Sequence, residues 1–176
     1  AKHLPVGDPN AGQVALGPLI NARQLERVDG IVKDAIAKGA VLRAGGTYEG
    51  LFYKPTVLED VKPGMRVLQE EVFGPVIAVV PFDTDEEAIA LNNATEYGLS
   101  AGVITQSLER AMNFAARLKT GIVHINDQTV GDEPWAPFGG SGASGNGGRH
   151  GGPANWEEFT QWQWVTIQDR ATPYPF

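Results

Sequence analysis

The sequence predicts an α/β fold with a doubly wound, mostly parallel sheet, followed by a separate strand close to the C-terminus. Strand and helix patterns alternate through the middle of the chain, which is the order of a doubly wound sheet. The clearest strand pattern is a continuous apolar run, which is typical of a parallel strand. A further strand pattern, at residues 163–168, follows after this alternation has ended. At 176 residues the chain is long enough for one domain with a sizeable core.

The first third of the chain predicts one helix and two strands. Asn21 is a capping residue, and the helix it opens extends over roughly residues 22–38. Gly39 stands where a left-handed helix stop is expected. Residues 40–43 and 52–58 read as strands, and a proline favours an edge or irregular position for the second. The predicted buried face of the helix consists of Leu25, Val28, Val32, Ala35 and Ile36.

The middle of the chain predicts three strands and two helices. The continuous apolar run at 76–80 indicates a parallel strand buried on both faces. Residues 84–87 form a capping box that opens a helix, and Ser107 caps the next one. Strands are predicted at 100–105 and 121–126, so parallel pairing through right-handed crossovers is expected. The predicted buried face of the second helix consists of Leu108, Ala111, Met112, Ala115 and Leu118.

Residues 127–153 form a glycine-dense loop, and loops of this length are usually functional or disordered. Gly140 to Gly145 formally matches the dinucleotide pattern G-x-G-x-x-G. No strand directly precedes it and no helix follows, so we interpret these glycines as a means of close backbone packing. A serine hydrolase using Ser141 or Ser144 is disfavoured, because neither has the spacing of a nucleophile elbow.

The domain organisation predicted is a main α/β domain at 1–155 and a final segment at 156–176. This segment holds a possible helical turn at 156–159 and the alternating strand pattern at 163–168. Because the main sheet is complete before it, this strand needs a partner elsewhere, and another subunit is a reasonable candidate.

The composition excludes several function classes. The formal net charge is -7 and no run of Lys or Arg stands out, so nucleic acids and anionic membrane surfaces are not expected partners. No stretch approaches the ~20 apolar residues of a membrane span. The first residues lack the apolar segment of a signal peptide, so a cytoplasmic location is expected.

The sequence contains no cysteine, which excludes disulfides, thiolate catalysis and cysteine-based metal sites within this chain. Its histidines are His3, His124 and His150, and their spacing does not suggest a metal site. We interpret His124, which lies in the middle of a predicted strand, as a packed core residue and not as a catalytic base. No residue of this chain is therefore assigned a catalytic role.

Glu70 and Glu71 form the sharpest local signal, because they precede Phe73 and a glycine-proline turn next to the predicted strand at 76–80. Adjacent residues of an extended segment face opposite ways, so we expect one carboxylate to point into a site. A carboxylate beside a parallel sheet can bind ribose hydroxyls. On the residues alone, the alternative is an exposed acidic turn.

Residues 69–75 resemble the E-E-x-F-G-P motif of the NAD(P)-dependent aldehyde dehydrogenase superfamily. Other segments resemble motifs of that family in the same order and at the same spacing. The resemblance covers essentially the whole chain and implies the C-terminal part of the catalytic domain. These further segments are residues 17–20, 55–57, 97–100, 137–140 and 144–147.

The resemblance implies a role for several side chains. Glu71 matches the residue that binds the nicotinamide ribose, and Phe73 matches one that packs near the nicotinamide ring. Gln24 matches a position that approaches the cofactor ribose, and Leu99 one close to the nicotinamide. For these last two, an ordinary helix surface and an ordinary core leucine remain alternatives. Phe138 matches an aromatic residue of the substrate tunnel.

The family mechanism uses a cysteine nucleophile, a glutamate base and an asparagine in the oxyanion hole. In the family all three lie upstream of the region matched here, as does most of the cofactor domain. The resemblance therefore implies a homo-oligomeric enzyme whose N-terminal cofactor domain is missing from this chain. The sequence does not distinguish NAD from NADP.

Residues 124–130 and 174–176 are similar to the benzaldehyde, vanillin and salicylaldehyde dehydrogenase branch of the family. Trp135 and Phe138 would provide aromatic walls for a flat ring, so an aromatic aldehyde is the expected substrate. The alternative from another class is a non-catalytic structural or assembly module that resembles an aldehyde dehydrogenase.

Overall fold

The computed structural model describes residues 1–173 and divides the chain into two compact units. The first unit comprises Ala1–Ala90 and the second begins at Leu91. In the first unit lie helix α1 (Ala22–Ala37), strands β1 (Val41–Ala44), β2 (Tyr48–Glu49), β3 (Phe52–Tyr53) and β4 (Thr56–Glu59), helix α2 (Arg66–Gln69) and strand β5 (Val76–Ala78). The boundary between the units falls within helix α3 (Asp85–Asn93).

Strand β4 is the centre of the sheet in the first unit. It pairs antiparallel with β1 and parallel with β5, while β2 and β3 form a separate antiparallel pair. Side chains along β4 alternate between buried and partly buried, and Thr56 and Leu58 are almost completely inaccessible. This alternation places one face of the strand in the core.

Helix α1 begins and ends as the sequence predicts. The Asn21 side chain accepts a hydrogen bond from the Gln24 N–H at 2.9 Å, which satisfies one donor of the first turn. Gly39 follows the helix with φ of 99°, a conformation that glycine adopts at little cost. The predicted buried face is correct except for Ile36, which is 40% exposed, while Ile31 is fully buried. Ile36 lies about 100° around the helix from Ala35 and so leaves the face that packs on the core.

The core of the first unit forms between α1 and the strand region. Tyr53 is the largest fully buried side chain, and it stacks on Tyr48 with ring centroids 5.8 Å apart. Its hydroxyl donates to Asp29 Oδ1 at 3.4 Å, and Lys33 pairs with the same carboxylate at 2.6 Å. Burial, together with the Asp29 charge, raises the pKa of the Tyr53 hydroxyl. The core side chains are Leu25, Val28, Ile31, Val32, Ala35, Ala40, Tyr53, Leu58, Val61, Met65 and Val67.

The strand predicted at 52–58 is divided in two by Lys54 and Pro55, and its second half is central to the sheet instead of at an edge. Pro55 stands just before β4, where its missing N–H is not required by the ladder. Thr56 supplies the first hydrogen bond, from its N–H to Pro75 O at 2.8 Å. Of the two alternatives predicted, the edge position was therefore wrong, whereas the irregular position is confirmed by the break at Lys54 and Pro55.

The prediction that residues 76–80 are buried on both faces was also wrong. Val76, Ala78 and Val80 pack against the core, whereas Ile77 is 62% and Val79 44% exposed. Successive side chains of a strand point to opposite faces, so only one face of this run is covered within the first unit. A continuous apolar sequence does not reveal which neighbours cover the second face.

The second unit contains strands β6 (Tyr97–Gly98), β7 (Ser100–Val103), β8 (Ile122–Ile125) and β9 (Ser141–Gly142), with helices α4 (Leu108–Arg117) and α5 (Ala154–Phe159). Strands β7 and β8 are parallel and are connected through α4, as predicted. Strands β6 and β9 pair antiparallel, so the glycine-dense loop contains a short strand. Each unit thus contains one parallel pair, but three of the five strand pairs among the described residues are antiparallel. The predicted doubly wound, mostly parallel sheet is therefore not confirmed within residues 1–173.

Helix α4 is less buried than its pattern predicts. Ser107 caps it as expected, accepting from the Arg110 N–H at 3.2 Å, and Ala111 is fully buried. Leu108 is 71% and Met112 56% exposed, so the prediction was wrong for these two residues. Steps of three and four residues define a helix face, but the short helix covers its neighbours only around Ala111.

The segment predicted as a strand at 163–168 has no regular secondary structure. A strand requires ladder hydrogen bonds, and this segment forms none with residues 1–173. Its side chains are exposed, among them Trp164 at 91% and Ile167 at 88%. The C-terminal similarity at 174–176 lies outside the described residues. Within residues 1–173, no helix has the length and apolar character needed to cross a membrane.

Replacing Leu58 with alanine should lower the free energy of unfolding by about 2–5 kcal/mol, because the side chain is fully buried and leaves a cavity. Ile20→Ala is the matched control, since Ile20 is 83% exposed and its loss should change this free energy by less than about 0.5 kcal/mol. Urea denaturation followed by circular dichroism measures both. Equal destabilisation by the two substitutions would contradict the assignment of the core.

Candidate functional site

Residues 70–75, here called the cofactor loop, connect α2 to β5 in the first unit. Its first residue, Glu70, caps the end of α2 and donates its backbone N–H to Arg66 O at 2.8 Å. Its last residue, Pro75, accepts from the Thr56 N–H of β4 at 2.8 Å. Backbone hydrogen bonds therefore fix both ends of the loop to neighbouring elements.

Glu70, the first of the two adjacent glutamates, is bound by two arginines. Arg66 donates to its carboxylate from Nε at 2.6 Å and from Nη2 at 3.1 Å. Arg27 Nη2 of α1 lies 3.5 Å from the same carboxylate. The Arg66 hydrogen bonds, reinforced by both positive charges, lower the pKa of the Glu70 carboxyl. The ion pairs are therefore complete above the ordinary pKa of a glutamate and are lost as the pH falls through the lowered value.

Helix α1 also binds the backbone of the loop, at three consecutive carbonyl groups. Arg27 Nη2 donates to Glu71 O at 2.8 Å. Gln24 Nε2 donates to Val72 O at 2.9 Å and to Phe73 O at 3.0 Å. Residues three apart lie on the same side of a helix, so these two side chains act together. We call Gln24 and Arg27 the carbonyl clamp.

Phe73 and Gly74 give the loop its sharp bend. Phe73 has φ of 47°, in the left-handed region, which costs a residue with a side chain about 1–2 kcal/mol. A Cβ at Gly74 would stand 2.7 Å from Val28 Cγ2, so glycine allows the loop to pack directly on α1. The bend is thus maintained by contacts with the helix against a local conformational cost.

Glu71 and Phe73, the two side chains of this loop that the resemblance assigns to the cofactor, are exposed. Phe73 is 73% exposed. Glu71 is also exposed, and its carboxylate forms no hydrogen bond or ion pair within residues 1–173. Of the two adjacent carboxylates, Glu71 is therefore the one available to a ligand, while Glu70 is engaged.

Gln24, expected near the cofactor ribose, lies next to this loop and uses its amide nitrogen for the carbonyl clamp. Its Oε1 accepts no hydrogen bond from the described part of the chain and remains able to accept one. The first unit therefore brings Gln24, Glu71 and Phe73 together around one loop.

Leu99, Trp135 and Phe138 lie in the second unit. Phe138 is half-buried and exchanges both backbone hydrogen bonds with His150, at 2.7 and 3.0 Å. Their rings are 5.2 Å apart between centroids. Leu99 lies between β6 and β7, accepts a backbone hydrogen bond from Ile122 at 3.0 Å, and is 38% exposed.

A cavity of about 480 Å³ opens beside Phe138. Of the two aromatic residues predicted to line a substrate pocket, Phe138 lines this cavity, whereas Trp135 does not and is 69% exposed. The residues around the cavity are Asp132, Glu133, Pro134, Ala136, Phe138, His150, Gly151 and Asn155.

The glycine-dense loop is organised by Arg149. Its Nη1 donates to the carbonyl oxygens of Gly140, Gly147 and Gly148 at 3.2, 2.9 and 2.9 Å. A Cβ at Gly145 would stand 2.8 Å from Gly140 O. The glycines of the formal dinucleotide pattern thus pack against backbone, and Ser141 and Gly142 form strand β9 instead of leading into a helix.

Sequence reasoning missed Arg27, Arg66 and Arg149. Each is engaged largely through carbonyl oxygens or a nearby carboxylate, and isolated arginines in a helix or loop carry no pattern that predicts such partners. Only Arg66 offered a signal, because it stands four residues before Glu70, at ion-pair spacing. His124 lies in β8, partly buried, and its Nε2 is buried without a hydrogen-bond partner among residues 1–173.

A family model described as the aldehyde dehydrogenase family matches residues 1–165 of the chain. The chain belongs to the aldehyde dehydrogenase family. It is 54% identical over its full length to the benzaldehyde dehydrogenase [NAD(+)] of Pseudomonas putida and 50% identical to the vanillin dehydrogenase of an Amycolatopsis species. In both comparisons it spans only 36% of the relative's length.

Solved structures of the family have the same fold as this chain. The salicylaldehyde dehydrogenase from Pseudomonas putida G7, complexed with salicylaldehyde, gives a TM-score of 0.91 at 40% identity over 99% of this chain and 36% of that one. A Mycobacterium tuberculosis aldehyde dehydrogenase complexed with NAD+ gives 0.86 at 39% identity over 97% of this chain and 36% of that one. An α/β fold of the aldehyde dehydrogenase type is therefore established.

Gly74→Ala should lower the free energy of unfolding by about 1–3 kcal/mol, because the added methyl group would overlap Val28 and displace the cofactor loop. Gly12→Ala is the control, since a Cβ there meets no atom within 4 Å, and it should change this free energy by less than about 0.5 kcal/mol. Chemical denaturation measures both. A neutral Gly74→Ala would contradict the close fit of the loop on α1.

Proposed function

We propose that this chain is the C-terminal part of the catalytic domain of a cytoplasmic, oligomeric, NAD(P)-dependent aldehyde dehydrogenase that oxidises an aromatic aldehyde to the acid. The observation that best supports this proposal is the way the cofactor loop exposes two of its side chains. In a member of this family, the loop presents the Glu71 carboxylate and the Phe73 ring to solvent while its backbone is bound to α1.

The residues present fit a dinucleotide. An unpaired carboxylate is suited to accept hydrogen bonds from the two hydroxyls of a ribose, which is the proposed role of Glu71. The exposed ring of Phe73 offers an apolar surface for the nicotinamide. Gln24 of α1 lies beside the same loop, and its Oε1 is proposed to accept a further hydroxyl hydrogen bond. Leu99 is proposed to border the nicotinamide. The chemistry that the dinucleotide supplies when bound is hydride acceptance.

An aromatic substrate is supported by two observations. The relatives compared above include dehydrogenases named for benzaldehyde, vanillin and salicylaldehyde. Phe138, the proposed tunnel residue, lines a cavity in the second unit and contacts the His150 ring. Trp135 is a second proposed wall, and its exposed ring would be covered by substrate or by another part of the enzyme.

The nucleophile of the reaction is not in this chain, because its 176 residues contain no cysteine. We propose that the nucleophile, the general base and most of the cofactor domain are supplied by a segment matching the remaining length of the relatives. The alternative function, favoured by the same lack of cysteine, is a non-catalytic module that retains the fold for assembly.

The proposal is tested with a hybrid enzyme, in which this chain replaces the corresponding part of the Pseudomonas putida benzaldehyde dehydrogenase. The hybrid should reduce NAD+ or NADP+ in the presence of benzaldehyde and prefer it to a short aliphatic aldehyde. Spectrophotometry at the absorbance of the reduced nicotinamide measures this. A folded hybrid that binds neither dinucleotide would favour the non-catalytic alternative.

Within the hybrid, Glu71→Gln should raise the KM for the dinucleotide by about tenfold, because a charge-assisted hydrogen bond to the ribose is weakened. Glu49→Gln is the control, since Glu49 is an exposed glutamate of the same unit and lies in β2. If both variants keep the parental KM, Glu71 does not bind the cofactor.

We further propose that residues 156–176 are an oligomerisation segment, in which residues 163–168 become a strand by pairing with another copy of the chain. The exposed apolar side chains of this segment support the proposal, since a monomer rarely leaves so many aromatic side chains uncovered. They are Trp156, Phe159, Trp162, Trp164, Val165 and Ile167.

The isolated chain should therefore self-associate, and removal of residues 161–176 should reduce this association. Sedimentation velocity over a range of concentrations measures both species. A Trp162→Ser, Trp164→Ser double variant is the control, because it removes two apolar side chains and keeps the backbone of the segment. If the complete chain sediments as a monomer throughout the range, the proposed oligomerisation segment is wrong.

A further inference from the structure

The two adjacent glutamates of the cofactor loop are in different electrostatic surroundings. Glu70 receives two hydrogen bonds from Arg66, at 2.6 and 3.1 Å, and lies 3.5 Å from Arg27. Glu71 is exposed and its carboxylate is unpaired within residues 1–173. The two neighbouring carboxylates are therefore not equivalent. Glu70 is engaged by arginines of the protein, whereas Glu71 is available to a ligand.

Arg27 links the carboxylate of Glu70 to the backbone of the next residue. Its Nη2 lies 3.5 Å from Glu70 Oε2 and donates to Glu71 O at 2.8 Å. The Glu70 carboxylate thus lies beside the same guanidinium nitrogen that binds this carbonyl. Since a peptide plane is rigid, fixing the Glu71 carbonyl restricts the ψ angle of Glu71 and thereby the direction of its side chain.

The remaining contacts fix the loop on the same side. Gln24 binds the next two carbonyls, and Gly74 packs on Val28. With these carbonyls turned to α1, the Phe73 ring remains exposed at a left-handed backbone position. Contacts on a single helix thus determine where the loop presents both proposed cofactor-binding groups.

We propose that Glu70, acting through Arg27 and Arg66, is a positioning residue for cofactor binding, and that it sets the orientation of Glu71 without touching the cofactor. This rests on the proposed function of the cofactor loop. The role differs from that of a ligand: removing the Glu70 side chain should disorder the loop, whereas a substitution that still accepts the Arg66 hydrogen bond should largely preserve it.

The contact itself is tested in the 176-residue chain by hydrogen exchange of the Thr56 and Val76 amides, which donate to Pro75 O and Gly74 O of the loop, each at 2.8 Å. Glu70→Ala and Arg27→Met should each speed this exchange by about tenfold, because charge-assisted hydrogen bonds that hold the loop are lost. Lys33→Met is the matched control, since Lys33 is also a cation of α1 in an ion pair, with Asp29 at 2.6 Å. It should leave loop exchange unchanged. Unaltered exchange in Glu70→Ala would overturn the proposal.

The consequence for binding is tested in the hybrid enzyme after its parental activity has been measured. Glu70→Ala should raise the KM for the dinucleotide by about tenfold and change kcat by less than about threefold, while Glu70→Gln should raise the KM by about threefold or less. The KM for the aldehyde should be unchanged in both.

Each result distinguishes positioning from the alternatives. Equal KM increases in Glu70→Gln and Glu70→Ala would mean that the negative charge of Glu70, and not its hydrogen-bonded position, determines dinucleotide binding, which would overturn the proposal. A lower melting temperature with an unchanged KM would mean a purely structural role and would overturn it as well. An inactive parent hybrid counts against the proposed function, while the exchange experiment still decides whether Glu70 orders the loop.

Discussion

The packing of α1 on the β4 face is the interaction on which the first unit depends. Val28, Val32 and Leu58 are almost completely inaccessible, and burial of apolar side chains such as these stabilises the unit. The same helix carries the carbonyl clamp on its adjacent side. Core packing and the presentation of the cofactor loop are therefore two effects of one helix placement, and neither can change without the other.

The helix caps were predictable because each depends on hydrogen bonds between residues that are close in sequence. Asn21, Thr84 and Ser107 each accept a hydrogen bond from the N–H three residues later, as helix caps do. At the second of these the reciprocal bond of the capping box differs in detail, since the Glu87 carboxylate binds the Asp83 N–H. Burial was predicted less well. Ile77 and Leu108 are apolar at suitable spacing, yet which neighbours cover a face depends on residues far away in sequence or on other parts of an enzyme.

The candidate site was predictable as far as its motif reaches. The motif predicted that residues 70–75 form a cofactor-binding loop and that one of its two adjacent carboxylates faces a ligand. It did not predict which residues contact Glu70. Arg27 was not predictable, because its partner is a backbone carbonyl 44 residues away, and every residue has such a group. The amide of Gln24 likewise binds carbonyls 48 and 49 residues away. Side-chain contacts with distant backbone leave no pattern in a single sequence.

The close contact of Gly74 with Val28 has a consequence for how variation in this protein would be read. Val28 is at once a core residue and the surface on which the loop rests, so a shift of α1 along its axis, by about 1.5 Å for one residue, would carry the loop with it. In a screen that selects for enzymatic turnover, substitutions at Val28 would be scored as functional although the side chain is fully buried in the core. If the loop binds a dinucleotide as proposed, binding would favour the helix placement that the loop requires, so ligand affinity and thermal stability would be thermodynamically linked.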